Sequence, residues 1–365
     1  MKKSKLFYLT IAFVTIVIGM LASFILPDRF MFDAYTISLD RYNEKGWLGS
    51  YPFSMMIYHI SGIGKLPFPA VALIQLPIIF SMFKHLKIPR GFHQFNLKNA
   101  IIWLGLLMFG IYVGFPSKEF ITAIYIYLLS LVLISKLNLF LKIALTFLLL
   151  AFFGWFYRQY FLLIPFLALV IFGLSYIKIK NRVLTVLVVG ILTTCFMSLS
   201  YGLVKGEFMS QGSREALNKR RVATGDSNAD TIIVSPVETD TFHGEAFGIV
   251  YGFFTVNLPV TGLRFILKPH VIAFVIWQLG LFIYLLYLYS IVLKNKEKYL
   301  HEQWVFHLLF AYFVIQGVFE PDLGSAVKHK LGVFPWIWLA FYYNKGLIKR
   351  PTKIKRYVFK LAKNN

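Results

Sequence analysis

The sequence predicts an all-α, polytopic integral membrane protein of about ten transmembrane helices, organised as a single membrane domain over residues 1–365. Three observations carry this. The 365 residues are 58% hydrophobic and only 15% charged, against about 25% charged in an average soluble domain. Apolar runs of roughly 14 to 23 residues recur along the whole chain, close to the roughly 20 that let a helix cross a hydrocarbon core with every backbone group bonded internally. The basic residues, finally, collect in alternate connections between those runs.

Taken in order, spans are predicted at 6–26, 66–83, 99–115, 120–135, 143–157, 159–177, 183–204, 271–293, 303–319 and 325–344. The first follows Lys2, Lys3 and Lys5 like a signal peptide. Its apolar run exceeds an h-region of about 7–15 residues and no small-residue cleavage pattern follows, so it reads as an uncleaved anchor. Basic residues mark every second connection: Lys84, Lys87, Arg90 and Lys98; Lys136 and Lys142; Lys178, Lys180 and Arg182; Lys294, Lys296 and Lys298. The tail adds Lys345, Lys349, Arg350, Lys353, Lys355, Arg356, Lys360 and Lys363. That side holds 23 of the 38 basic residues against two acids, Glu297 and Glu302, and so carries +21 of the net +22. The positive-inside rule then places both termini in the cytoplasm. The isoelectric point near 9.9 thus reflects an anionic inner leaflet rather than nucleic acid. The one cysteine, Cys195, lies inside a predicted span, which excludes a disulfide framework and a cysteine metal site.

Two outer loops are long, at about 27–65 and 205–270. In the first, YPFSMMIYHISGIG is too short to cross and is expected at the interface. In the second, Ser213 is expected to cap a short helix through Arg221, and FGIVYGFFTVNLP reads as a re-entrant or interfacial segment, which needs cover from protein or a water-filled cavity. The spans hold almost no ionisable side chains apart from His307 and the polar entry of the last. Ion-coupled carriers place such groups within the bilayer. Here they gather at the outer mouth, which favours chemistry on a lipid-borne substrate.

Four outer segments converge by topology: PSKE with Lys118 and Glu119; WFYRQY with Arg158; the long loop with Arg214, Arg220, Arg221 and Arg264; and EPDLGSAVKHK with Glu320, Asp322, Lys328, His329 and Lys330. Plainer readings exist for each: a solvated Lys118–Glu119 pair, Arg158 snorkelling in an aromatic belt, a solvated arginine face, and interface anchors at Arg264 and Lys268. The last segment is the most suggestive. Pro321 ends the ninth span, Gly324–Ser325 offers a turn and cap, and three basic residues then open a helix against its dipole. That arrangement suits an anion bound at the helix start. Guanidinium forks suit a pyrophosphate, and Glu320, Asp322 or His329 can deprotonate a hydroxyl. The fit is a glycosyl transfer in which a polyprenyl pyrophosphate leaves. No Walker loop, H-E-x-x-H, G-x-S-x-G or metal-ligand histidine spacing occurs, so no metal and no cofactor are expected. Glu320-Pro-Asp322 alone is a weak metal signal.

At PSKEF, WFYRQYF and EPDLGSAVKHKLGVFP, the chain resembles the Wzy-type polymerases of O-antigen and capsular polysaccharide, including their EpsG-like relatives. The resemblance implies a GT-C-like glycosyltransferase of the bacterial inner membrane with long periplasmic loops. It would join undecaprenyl-pyrophosphate-linked repeat units at the periplasmic face, without nucleotide sugar or metal. Residue by residue the resemblance reaches only Lys118, Arg158 and the Glu320–Lys330 segment; with the reading of the outer loops, Glu320, Asp322 and His329 are expected to be catalytic, and Lys118, Arg158, Arg214, Arg264, Lys328 and Lys330 to hold the pyrophosphate. Membrane lipid, a chain-length regulator and a flippase are the partners implied. An O-antigen ligase shares the plan, and a transferase using lipid-phosphate sugars is a further enzyme alternative, though Asp28, Asp33 and Asp40 form no D-x-D. A lipid-linked oligosaccharide flippase is the non-enzyme alternative.

Overall fold

The computed structural model describes residues 2–177, 180–223 and 231–349. Lys178, the loop 224–230, the side chain of Arg221 and the basic tail from Arg350 to Lys363 lie outside the described residues. In chain order the helices are α1 (Lys2–Ile25), α2 (Phe32–Ser38), α3 (Tyr42–Lys45), α4 (Ser50–Ile60), α5 (Phe68–His85), α6 (Leu97–Tyr112), α7 (Lys118–Ile134), α8 (Leu139–Phe156), α9 (Leu163–Leu174), α10 (Arg182–Lys205), α11 (Ala216–Ala223), α12 (Phe242–Asn257), α13 (Pro269–Lys294), α14 (Leu300–Phe319), α15 (Leu323–Gly332) and α16 (Phe334–Phe341). Among the described residues the only extended pairing is an isolated bridge, Ile232 to Asp322. Among the described residues five helices, α1, α5, α8, α10 and α13, are long and apolar enough to cross a membrane.

Among the described residues the sequence marks where six of these helices begin. Six open on a side-chain oxygen that accepts an otherwise orphaned N–H: Asn96 from Asn99, Ser117 from Phe120, Asn138 from Leu141, Asn181 from Leu184, Thr241 from Gly244 and Asp322 from Ser325. Each such cap is worth about 1 kcal/mol. The cap before the last segment is therefore Asp322, at 2.7 Å, rather than Gly324–Ser325. Ser213 is not a cap either: its hydroxyl donates to the carbonyl of Met209, and a π-helical turn, Gln211–Glu215, leads into α11.

α14 is the axis of the bundle. Every residue from Glu302 to Val318 is buried, as expected of a helix that is apolar all round. α9, α10, α12, α13 and α16 pack against it. The apolar piece of the long outer loop is accordingly a 16-residue helix, α12, lying on α14. The predicted last span, 325–344, is two helices. Val333 closes α15, and Pro335 in the first turn of α16 has no N–H to continue the ladder.

The turn that carries Arg158 depends on one glycine. The chain leaves α8, passes through extended Arg158 (φ −141°, ψ 108°) and doubles back as a 3₁₀ turn, Gln159–Leu162. A Cβ on Gly154 would strike the backbone of Leu162 and sit 3.0 Å from the carbonyl carbon of Phe161. Gly154→Val should therefore open this turn at a cost of about 1–3 kcal/mol. A melting curve of the purified variant checks it; an unchanged midpoint would show that the close approach is dispensable.

Candidate functional site

The site is built around a carboxylate with no exposed surface. Glu119 sits in the first turn of α7, just past the Ser117 cap, where the helix dipole favours a negative charge. Burial without a partner would be prohibitive, and two cationic side chains and an imidazole meet it. Nη2 of Arg158 donates to Oε1 of Glu119 at 2.7 Å, Nε2 of His329 stands 3.4 Å from the same oxygen, and Nζ of Lys328 is 3.7 Å from Oε2. Nη1 of Arg158 reaches the Tyr160 hydroxyl at 3.2 Å, so both terminal nitrogens of this guanidinium are engaged within the protein.

A second carboxylate, Asp33 of α2, joins the first outer loop to this cluster. It pairs with Lys328, lies 3.4 Å from Lys118 and accepts the Tyr51 hydroxyl. The Lys118 ammonium also lies over the Tyr51 ring, 3.6 Å from its centroid. Burial pushes the Asp33 carboxyl up, but Lys118 and Lys328 overcome this and hold it well below the usual carboxylate range. Its contribution is complete above the ordinary value of about 3.9 and is lost only as pH falls through the lowered folded value. The tie therefore persists throughout the neutral range. Burial and the Asp33 charge together raise the Tyr51 phenol.

On the other flank His329 is oriented by Glu320. Nδ1 lies 2.8 and 2.9 Å from the two Glu320 oxygens, and Gln316 donates to the same carboxylate at 2.8 Å. A carboxylate on Nδ1 sets the tautomer that leaves Nε2 as the basic nitrogen.

Apart from Glu119, which lies behind them, these groups border one cavity of about 700 Å³, walled additionally by Phe30, Tyr112, Tyr157, Tyr160, Phe274 and Phe319. Of the residues expected from sequence, Lys118, Arg158, Glu320, Asp322, Lys328 and His329 line it. Three do not. Lys330 is fully buried, turned over the ring of Phe313 at 5.5 Å. Arg264 lines a separate, smaller cavity. Arg214 is fully buried in the seam between α12 and α14, where Nη1 donates to the carbonyls of Gly317 (3.0 Å) and Gly248 (3.3 Å). That role follows from Pro321: the Gly317 carbonyl would bond the N–H four residues on, and proline has none. Gly252 and Gly317 let the two backbones approach around the arginine. Residues 231–233 grip the same turn, with Leu323 N–H donating to Thr231 at 3.2 Å and Ile233 N–H to Pro321 at 2.8 Å.

The Lys118–Glu119 turn pair expected from sequence is thus not a solvated pair: Lys118 turns to Asp33 and Glu119 to Arg158. Sequence reasoning missed Asp33, Tyr51 and Gln316. Asp33 was weighed only for D-x-D spacing, and no spacing links it to residues almost 300 positions away. Among the described residues no group of three or more His, Cys, Asp or Glu side chains is placed to hold a metal ion. Comparison with family models, curated proteins and solved structures found no match for this chain.

Removing Arg158 strands Glu119. Arg158→Met should cost about 3–5 kcal/mol and lower the folded protein recovered from membranes. Adding Glu119→Gln should restore most of that loss, because the stranded charge goes with it. Equal melting temperatures for the single and double variants would rule out the pair as the anchor of the site.

Proposed function

We propose that this chain is a membrane glycosyltransferase that polymerises polyprenyl-pyrophosphate-linked glycan repeats at the outer face of the bacterial inner membrane. In this reading it crosses the bilayer about ten times with both termini inside, as the 23-to-2 split of basic and acidic residues supports. The observation that carries the reading is the shared cavity. An imidazole–carboxylate pair, two lysines and aromatic walls come from segments spread from residue 30 to residue 329.

The chemistry follows from those positions. The acceptor hydroxyl oxygen bonds the anomeric carbon of the donor as that carbon's bond to the pyrophosphate oxygen breaks. The hydroxyl proton passes to Nε2 of His329, oriented through Nδ1 by Glu320. The pyrophosphate leaves with the bonding electron pair. An ammonium offers three donors, so Lys118 and Lys328 can hold Asp33 and phosphate oxygens together, stabilising charge where it builds. Arg158 acts through Glu119, which fixes the positions of Lys328 and His329. Tyrosine and phenylalanine faces suit the apolar faces of sugar rings.

His329→Gln should lower transfer by about 10²–10⁴ while the protein remains folded. The assay is purified full-length chain in liposomes with synthetic pyrophosphate-linked repeats, scored for products longer than one repeat. A wild-type rate in the variant removes His329 as the base, and products that never exceed one addition to a different lipid acceptor identify a ligase.

The topology is tested separately. Alkaline phosphatase fused at Asp240 should be active, and the same reporter fused after Asn365 inactive. Activity at both points refutes the ten-span arrangement.

A further inference from the structure

Beside the main cavity lies a second of about 370 Å³, formed by α11, residues 231–234, α12 and the 3₁₀ turn Val260–Phe265. The two share Thr231 and Leu323 as a common wall. Its lining differs in kind. The large cavity presents cations matched by carboxylates, whereas this one presents the hydroxyls of Thr255, Thr261 and Tyr251, the amide of Asn218 and a single cation, Arg264.

Two features mark it as a built site. Asn218 is only 9% exposed, its amide nitrogen donates to the Ile233 carbonyl at 3.2 Å, and its Oδ1 has no hydrogen-bond partner. Buried amide oxygens are ordinarily satisfied; this one is itself covered, and a ligand hydroxyl meets it through rotation of the Asn218 amide toward the cavity that the residue lines. Arg264 is exposed, its guanidinium rests over the Phe265 ring at 4.7 Å, and it meets no carboxylate among the described residues. Its planar fork is therefore uncommitted.

We infer that this cavity is a second glycan subsite that binds a sugar carrying a carboxylate, with Arg264 holding the carboxylate and Asn218 a ring hydroxyl. The inference rests on the proposed transfer reaction and adds the class of sugar it handles. One guanidinium matches one carboxylate in bidentate geometry. Among the described lining residues a pyrophosphate, with its higher charge, finds one cation here but two ammonium groups across the shared wall. Hydroxyl-bearing side chains and aromatic faces suit a pyranose. The wall is shared, so this pocket lies directly beside the cavity that holds the reacting sugar.

The test is calorimetric titration of the full-length chain in nanodiscs with tetragalacturonate and, as the neutral probe, maltotetraose. The acidic probe should bind at least about tenfold more tightly, the scale of a charge-assisted bidentate contact. Arg264→Gln should abolish that preference, and Arg264→Lys, which keeps charge but loses the fork, should retain part of it. Matched melting curves exclude misfolding of either variant. His329→Gln should leave the preference intact while stopping transfer, so the two readings fail independently. Equal affinity for both probes, or a preference that survives Arg264→Gln, overturns the subsite. So does inorganic pyrophosphate binding more tightly than tetragalacturonate through Arg264.

Discussion

The fully buried carboxylate of Glu119 is the constraint on which the rest depends. A charge with no access to water must be neutralised and hydrogen-bonded by its neighbours, and α7 itself supplies only its helix dipole. The turn after α8 therefore has to deliver Arg158, and α15 has to deliver Lys328 and His329. Lys328 then draws in Asp33, which ties the segment 27–65 to the cluster. Four segments without local sequence contact are thus locked together by one network of opposite charges.

A second brace works from behind. The central helix α14 ends at Phe319, two residues before Pro321, leaving a carbonyl that its own ladder cannot satisfy, and Arg214 from the long loop occupies that position. Residues 231–233 bind the other side of the same turn. The loop that sequence alone presents as a polar excursion is therefore part of the support for Glu320 and, through it, His329. In the proposed transfer His329 is the base, and a base whose orientation is fixed in advance needs little reorganisation during proton transfer.

The same logic separates binding from positioning among the basic residues. Both terminal nitrogens of Arg158, and Nη1 of Arg214, donate to protein oxygens. Lys118 and Lys328 keep donors facing the large cavity, and Arg264 faces the small one. A lysine or arginine count at the outer face would not distinguish these roles, since each begins as a basic residue near a helix end.

By itself the sequence determined the all-helical class, the places where helices start, and the segregation of charge. Those properties depend on local composition, on capping residues within three positions and on hydrophobic run length, all of which are short-range. It also brought Lys118, Arg158, Glu320, Asp322, Lys328 and His329 to one face, because hairpin connections pin them at helix ends. The tertiary structure alone decided that Asp33 and Glu119 organise those cations, that Arg214 and Lys330 turn into the bundle, that Arg264 serves a separate cavity, and that the last apolar run breaks at Val333. The physical reason is that a buried charge takes whichever opposite charge packing brings within reach. Pairings such as Asp33 with Lys328 arise between residues that no local pattern relates.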